Sequence, residues 1–386
     1  MEVNGMKAIY LDHAATTPID PKVMDSMLPV YQDVFGNPSS VHQFGRKARR
    51  ILDEARRTIA KSIRANEKEI IFTSSGTEAD NLALLGTARA NRDKGNHIIT
   101  TVLEHHATLH AAEQLEKEGF RVTYLYPDKA GIIRIEELEE ALTEDTTLVS
   151  VMTVNNETGM IQPIEKIGRL LENHQAYFHT DAVQAYGVMD VNTATLKVDM
   201  LTVSGHKING PKGIGFLYAK EGTSMQTLHY GGEQERKRRP GTENVPGVKG
   251  LQTAVQVMLE EREPRMEAYH RYKKLFLETL EEEQVEFTIN GEQGSMVPTI
   301  VNLSFPGMNV ETMLTNFDLA GVAASSGSAC TAGSVEPSHV LSAMYGKEDA
   351  RTINSIRFSF GMANNDENVR EAAQKISKVI KRLHEL

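Results

Sequence analysis

The stretch Met200-Leu-Thr-Val-Ser-Gly-His-Lys-Ile-Asn-Gly-Pro-Lys-Gly213 decides how this chain is read. Its first four residues form a short apolar strand. A turn of Ser204, Gly205, Asn209, Gly210, Pro211 and Gly213 comes next, with Lys207 set in the middle. A lysine at a strand end among small residues is poorly explained by solubility, because solvated lysines usually lie on helix faces. Its amine can form a Schiff base with an aldehyde cofactor. The rival is a nucleotide phosphate loop. The pattern G-x-x-x-x-G-K-[ST] is absent, however, and Gly210, Gly213 and Gly215 stand in the wrong order for G-x-G-x-x-G.

Outward from that stretch, short β-rich runs alternate with helix-period segments. Strands are expected at 69–73, 97–102, 121–126, 148–154, 176–180, 200–203 and 213–219, with helices at 78–92, 107–118, 135–142 and 164–173. This alternation predicts an α/β fold around a parallel sheet, whose strand ends carry the ligand site. After about residue 250 the texture changes to a long charged helix over 248–279, with β-like segments near 299–304 and 355–360. Val369, Ala373, Ile376, Val379, Ile380 and Leu383 then mark a docked amphipathic helix over 366–386. A second domain is expected there.

The 386 residues suffice for a substantial core, and 40% hydrophobic with 24% charged residues excludes disorder as the main state. Forty-two basic against 52 acidic side chains leave a net charge of −10, which disfavours direct nucleic-acid binding. The short basic run Arg236–Arg239 reads as a structured loop or an intersubunit contact. The single cysteine, Cys330, can form neither an intramolecular disulfide nor a cysteine-based metal cage, as suits a reducing compartment. No segment approaches the roughly 18 apolar residues of a membrane span, and the first residues lack signal-peptide character. A cytoplasmic protein is expected.

Several segments carry chemistry. In Thr73-Ser-Ser-Gly-Thr-Glu78, Ser75 and Glu78 spell a capping box after a strand. Gly76 and Thr77 at the helix start suit a phosphate, although a plain cap would look the same. Asp181 ends a strand in His179-Thr-Asp-Ala-Val-Gln184, where a carboxylate can pair with a protonated pyridine nitrogen or simply cap the next turn. His105 stands at another strand end, placed to stack on a planar ring and move protons. His106 and His110 imitate half a metal site but lack a third ligand at a diagnostic spacing, and read as surface histidines. Cys330 sits in Ser325-Ser-Gly-Ser-Ala-Cys-Thr-Ala-Gly-Ser334, a run with no bulky side chain to bury it, which predicts a mobile, accessible thiol.

Further segments complete a pattern: Tyr10-Leu-Asp-His-Ala-Ala-Thr-Thr-Pro18, Gly36-Asn-Pro-Ser-Ser-Val-His42, Asn155-Asn-Glu-Thr-Gly159, Arg239-Pro-Gly-Thr-Glu-Asn244 and Ser355-Ile-Arg-Phe358. Together with the loops at 75–81, 204–213 and 325–334, they make the chain resemble the pyridoxal-phosphate-dependent cysteine desulfurases of the NifS/IscS type. These belong to the long-loop branch of the aminotransferase class V group. The resemblance implies the fold type I of such enzymes. A large domain (16–257) with a mainly parallel seven-stranded sheet would be joined by a smaller α+β domain (1–15 and 258–386) carrying the cysteine loop. It implies Lys207, His105 and Cys330 as catalytic residues. Gly76, Thr77, Asn156, Asp181, Gln184, Ser204 and His206 would hold pyridoxal 5'-phosphate, with Thr242 arriving from the other subunit of a homodimer. Asn156 and Arg357 would bind the substrate. The implied reaction converts L-cysteine to L-alanine and leaves the sulfur on Cys330. From there it passes to an acceptor protein serving iron–sulfur cluster, thiolated-tRNA or thiamin synthesis. No intrinsic metal is implied, with Cys330 open to transient iron–sulfur ligation beside a scaffold partner. A selenocysteine lyase, or another class V lyase or transaminase, would share the cofactor residues. A cofactor-free Cys/His hydrolase and a non-catalytic sulfur carrier are the rivals from other classes.

Overall fold

A computed structural model describes residues 2–3, 6–326 and 337–385. Its centre is a seven-stranded sheet of Ile70–Thr73 (β1), His97–Thr101 (β2), Arg121–Leu125 (β3), Thr146–Ser150 (β4), Tyr177–Asp181 (β5), Met200–Ser204 (β6) and Gly215–Ala219 (β7). The spatial order is β1-β7-β6-β5-β4-β2-β3. Only β7 runs antiparallel to its neighbours β1 and β6, so the other six strands end at the same edge. The expected α/β class and mainly parallel sheet are both borne out.

Side chains of successive strand residues point to opposite faces, and helices cover both. Ile70, Phe72, Ile99, Val149, Phe178, Leu201, Val203 and Phe216 pack on one side with Leu52, Ile59, Ile167, Val248 and Leu251. Ile71, Ile98, Leu148, Met200 and Leu217 face the other way, onto Ala79, Leu82, Ala83, Ala111 and Leu115. Burial on both faces is why the inner strands are buried along their whole length, polar residues such as Thr100, Thr147 and His179 included, instead of alternating with exposed ones. The outermost strand β3 starts on the exposed Arg121 and is only half-buried until Leu125.

Two boundaries differ from expectation for physical reasons. The regular strand expected at 148–154 ends at Ser150 because the chain then turns back, with Val154 bridging Ile161, yet Val151 N and Thr153 N still donate to the His179 and Asp181 carbonyls, and Val151, Met152 and Val154 stay buried in the core. The helix expected at 78–92 begins at Gly76 and runs to Ala90 through a wide π turn at Leu82–Gly86. Gly119 takes φ +89° after the helix His106–Lys117, as a left-handed stop should.

Beyond the sheet, one helix spans Val245–Glu282. Its first half packs in the core just described. Its second half, through Tyr269, Tyr272, Phe276 and Leu280, enters a separate core with Val301, Leu303, Phe317, Ile356, Phe358, Val369 and Ile376. That core lies between the strands Thr288–Ile289, Ile300–Ser304 and Ser355–Ser359 and the helices Val310–Leu319 and Asp366–His384. The N-terminal segment joins it: Ile9–Tyr10 pairs with Val322–Ala323, and Asp12 bridges Ser359. Residues 13–17 then cross to the end of β6.

Candidate active site

Five of the parallel strands end around one pocket of about 300 Å³. β6 delivers Ser204, and a single 3-10 turn, Gly205–Lys207, brings Lys207 over the edge. The Lys207 Nζ donates to the carbonyls of Ala14 and Ala15, the latter at 2.8 Å. The crossing segment is itself fastened to the Lys207 loop. Thr17 Oγ1 donates to the His206 carbonyl at 2.8 Å, His206 Nδ1 lies 3.1 Å from Thr16 Oγ1, and Gln184 Nε2 donates to Ala14 O at 2.9 Å. Burial, and then the nearby Arg357 charge, bring the lysine down to about 7, against partial support from Asp12 and Asp181. At neutral pH a large share of this amine is therefore a free base.

Asp181 ends β5. Its Oδ1 accepts from Val183 N at 2.8 Å, so the turn-capping reading and the pocket reading both hold. Burial raises its carboxyl to about 6, against the Val183 bond and Lys207. His105 follows β2 and caps the helix His106–Lys117 with Nδ1 accepting from Ala107 N at 3.1 Å, which leaves the proton on Nε2. His105 is exposed at the pocket mouth, but the protein packed around its inner edge, and then Lys207, lower this imidazole, so it is neutral near pH 7.

After β1, Ser75 caps the helix starting at Gly76, its hydroxyl accepting from Glu78 N at 3.2 Å. Only half of the expected capping box forms. Glu78 instead accepts from Ser74 N at 2.8 Å and binds Arg239 at 2.7 Å, because the arginine offers a charged partner. Helix geometry leaves the first N–H groups at this end without intrahelical acceptors. Beyond β4, Asn155 Oδ1 accepts from Glu157 N and Thr158 N at 3.0 and 2.9 Å. This turn, closed by Gly159 at φ +77°, presents Asn156, whose buried Oδ1 has no partner.

Arg357 comes from the second core, on the strand Ser355–Ser359. Its guanidinium is 4% exposed and donates to Asn156 O and Asp12 Oδ1, both at 2.8 Å. Thus Gly76, Thr77, His105, Asn156, Asp181, Gln184, Ser204, His206, Lys207 and Arg357 all line one pocket. Thr242 does not. It is exposed, on a loop tied back by the Arg239–Glu78 pair. Cys330 and the loop mobility expected around it lie outside the described residues, although Ser325, just before them, lines the pocket.

Four further pocket or near-pocket groups carry no decisive sequence signal. Asp80 and Glu157 line the pocket wall fully buried, and burial pushes both carboxyls up. Glu104, beside His105, accepts from Thr101 Oγ1 and Met152 N at 2.9 Å each, while burial raises it to about 8. His339 reaches the Glu104 carbonyl at 3.1 Å and lies tilted against His106, with ring centroids 5.0 Å apart. His106 and His110 lie 5.3 Å apart in a stacked pair. Among the described residues no group of three or more His, Cys, Asp or Glu side chains is placed to hold a metal.

Comparison with known proteins bears out the resemblance read from the motifs. The chain is 55% identical over 378 residues to a putative cysteine desulfurase, IscS 1, of Bacillus subtilis, covering 98% of this chain and all of that protein. It is 43% identical over 382 residues to a cysteine desulfurase, IscS, of Clostridium botulinum, covering 98% and 96%. Among solved structures, a NifS-like protein superposes with a TM-score of 0.91 at 33% identity, covering 97% of this chain and all of the other. SspA in complex with cysteine does so with 0.82 at 36% identity, covering 91% and 98%. With the aminotransferase class-V family model matched from residue 9 to residue 371, this chain belongs to that family.

Proposed function

We propose that this chain is a cysteine desulfurase, which takes sulfur from L-cysteine, holds it as a persulfide on Cys330 and releases L-alanine. The observation that carries the reading is Lys207, a strand-end lysine amine lowered to about 7, facing a buried carboxylate and a buried arginine in one pocket.

The pocket fits pyridoxal phosphate, the cofactor of this enzyme class. Asn156 Oδ1 is buried and unpartnered, as for a missing donor. At Gly76 an added Cβ would come within 3.1 Å of Val183 and 3.6 Å of Ser204, so the bare backbone keeps this approach clear. Gly76 and Thr77 at the helix start, with Ser204 and His206, would hold the phosphate, Asp181 the pyridine nitrogen, and Gln184 the phenolic oxygen. When bound, pyridoxal phosphate supplies a sink for the electron pair that develops at the substrate Cα.

This chain's own residues do the rest. Arg357, already anchored by Asn156 and Asp12, receives the substrate carboxylate. The neutral Lys207 amine removes the Cα proton. The Cys330 thiolate bonds to the substrate sulfur as the substrate carbon–sulfur bond breaks, and a proton takes up the electron pair left at Cβ. His105, neutral and with its proton on Nε2, lines the same pocket and would handle that proton. An acceptor protein then takes the sulfur from Cys330. We assign residues 16–257 to a large domain and 1–15 with 258–386 to a small one, a division supported by the two cores sharing the helix Val245–Glu282.

A homodimer is supported by exposed apolar side chains on and between the helices Pro21–Asp33 and Gln43–Ser62, namely Leu28, Tyr31, Phe35, Val41 and Phe44, with Tyr230 83% exposed elsewhere. Thr242, exposed in one subunit, would serve the partner's pocket. No helix among the described residues is long and apolar enough to cross a membrane. A cytoplasmic setting would keep the lone thiol reduced. The test is alanine and sulfide formation from L-cysteine by the pyridoxal-phosphate-loaded protein. Borohydride should fix the cofactor to wild type and not to Lys207→Ala. Failure of both would remove the reading. Faster release of selenium than of sulfur would turn it towards a selenocysteine lyase.

A further inference from the structure

Lys207 borders a second cavity, of about 60 Å³, besides the large pocket. Ala14, Val183, Gln184 and Lys207 line both, so they form the wall between them. Since roughly 10–15 Å³ of such volume is enough to admit a water molecule, the second cavity has room for water. Its polar lining includes Thr17, Asn209, Arg265 and His13, while Val188 and Met266 at its rim are only half-buried.

His13 is the unusual member. It is 5% exposed, and its Nδ1 lies 3.1 Å from the Ser359 carbonyl. A carbonyl only accepts, so Nδ1 carries the proton and Nε2 presents a bare lone pair. That Nε2 is buried and has no protein partner. Burial also lowers the imidazole to about 4, so the lone pair stays unprotonated at neutral pH. The ring lies directly on the Gly361 Cα: a Cβ there would come 2.1 Å from Cδ2 and 2.7 Å from Nε2. The fold thus keeps a seat for a ring whose acceptor the protein leaves unsatisfied, at a cavity that Lys207 also lines. Buried acceptors of this kind are met by ordered water.

We propose that the second cavity holds a water bridging His13 Nε2 and Lys207 Nζ, and that through it the lysine exchanges protons with solvent during turnover. Each exchange moves one proton from the lysine ammonium to the water and returns one from the water to the amine. The count on the lysine is unchanged and no other reactant is consumed. Cofactor and substrate would fill the larger pocket, which leaves the second cavity, also lined by Lys207, as the side from which water would reach the amine. His13 is a positioning residue, because it acts through the water. The turnover half of the proposal rests on the desulfurase reading; the water site does not.

The test uses the holoenzyme in two arms. A high-resolution crystal structure of wild type should show water within hydrogen-bonding distance of His13 Nε2, and His13→Phe should lose it. In the second arm, L-cysteine deuterated at Cα is converted and the deuterium kept in alanine, at either carbon, is measured per molecule formed. His13→Phe should raise that retention by about threefold or more, as losing one net hydrogen bond to the exchanging water predicts. His13→Gln, which restores an acceptor near the Nε2 position, should return it towards wild type, a rescue that a packing role would not give. His13→Leu replaces the phenylalanine variant if that one does not fold. A dry cavity at His13 Nε2 in wild type, or equal retention in wild type and the apolar variant, overturns the proposal. Absence of alanine from wild type would strike the desulfurase reading instead, leaving the crystallographic arm to decide the water site.

Discussion

Replacing Arg357 by glutamine should remove the distinction between a substrate that has a carboxylate and one that lacks it. The Arg357 backbone is held in the antiparallel pair with Asn302 and, on the other side, by Ser325, whose carbonyl accepts Arg357 N at 2.7 Å. Its guanidinium is fixed by the Asn156 carbonyl and the Asp12 carboxylate at 2.8 Å each, with the arginine side chain 4% exposed. A hydrogen bond to a charged group contributes ~1.5–3 kcal/mol, and a substrate carboxylate arriving here finds its donor preorganised. The loss in kcat/KM for L-cysteine should therefore be about 2–4 kcal/mol, or about 30- to 1000-fold at 1.36 kcal/mol per factor of ten. The assay compares L-cysteine with cysteamine, which has the same amine and thiol but no carboxylate. Wild type should prefer cysteine by roughly that factor, and Arg357→Gln should compress the preference to about threefold, the residue of one neutral hydrogen bond. Asp12→Asn controls for damage to the ion pair. It removes a competing carboxylate, so the KM for cysteine should not rise. An unchanged cysteine-to-cysteamine ratio in Arg357→Gln would refute the assignment, whatever happened to the absolute rates.

Lys207, lowered to about 7 by burial, should give kcat a limb that falls as pH drops through that region, and Lys207→Ala should abolish turnover while the protein still binds cofactor noncovalently. The same burial makes the folded apoenzyme hold fewer protons than the unfolded chain between about 7 and 10.5. Lys207→Met should therefore raise apoenzyme stability most at pH 7 and below, with the gain vanishing as pH approaches 10.5 in urea unfolding. Glu235→Gln breaks a pair with Arg56 whose side chains are 3% and 7% exposed, at an expected ~3–5 kcal/mol of stability. It should also weaken cofactor binding, because Glu235, Arg236 and Lys237, all at positive φ, lead into the 239–244 loop. Mixing Lys207→Ala with Thr242→Ala subunits should restore activity to about half of wild type in the heterodimers. If Thr242 acts on the partner's site, both lesions fall in one pocket and leave the other intact.

How much of this was legible in the sequence depended on whether a residue's role is local. The central strands could be read because they are short runs rich in β-branched and aromatic residues, bounded by turn and helix-start residues. Lys207, Asp181 and His105 could be read because polar residues directly after such runs must stand at the sheet edge. The strand expected at 148–154 ran long because Val151, Met152 and Val154 stay buried in the core while the chain turns back to bridge Ile161, and composition does not show that turn. Asp80 sits mid-helix, where an acidic residue looks solvated; only the packing of that helix on the sheet buries it. Glu104 depends on Met152 N from another strand, and His339 on a carbonyl 235 residues away in sequence. His13 reads as one more turn residue until Ser359 and Gly361, from the far end of the chain, close around its ring.

The fate of the sulfur tests the desulfurase reading most directly. Wild-type holoenzyme is incubated with L-cysteine, quenched without reductant, digested and examined by mass spectrometry. The peptide containing Cys330 should gain one sulfur atom that reductant removes. Cys330→Ser should still bind cofactor and substrate but carry no added sulfur and release no sulfide. Sulfur on no peptide of the wild-type chain, or desulfuration by Cys330→Ser at the wild-type rate, would contradict that reading.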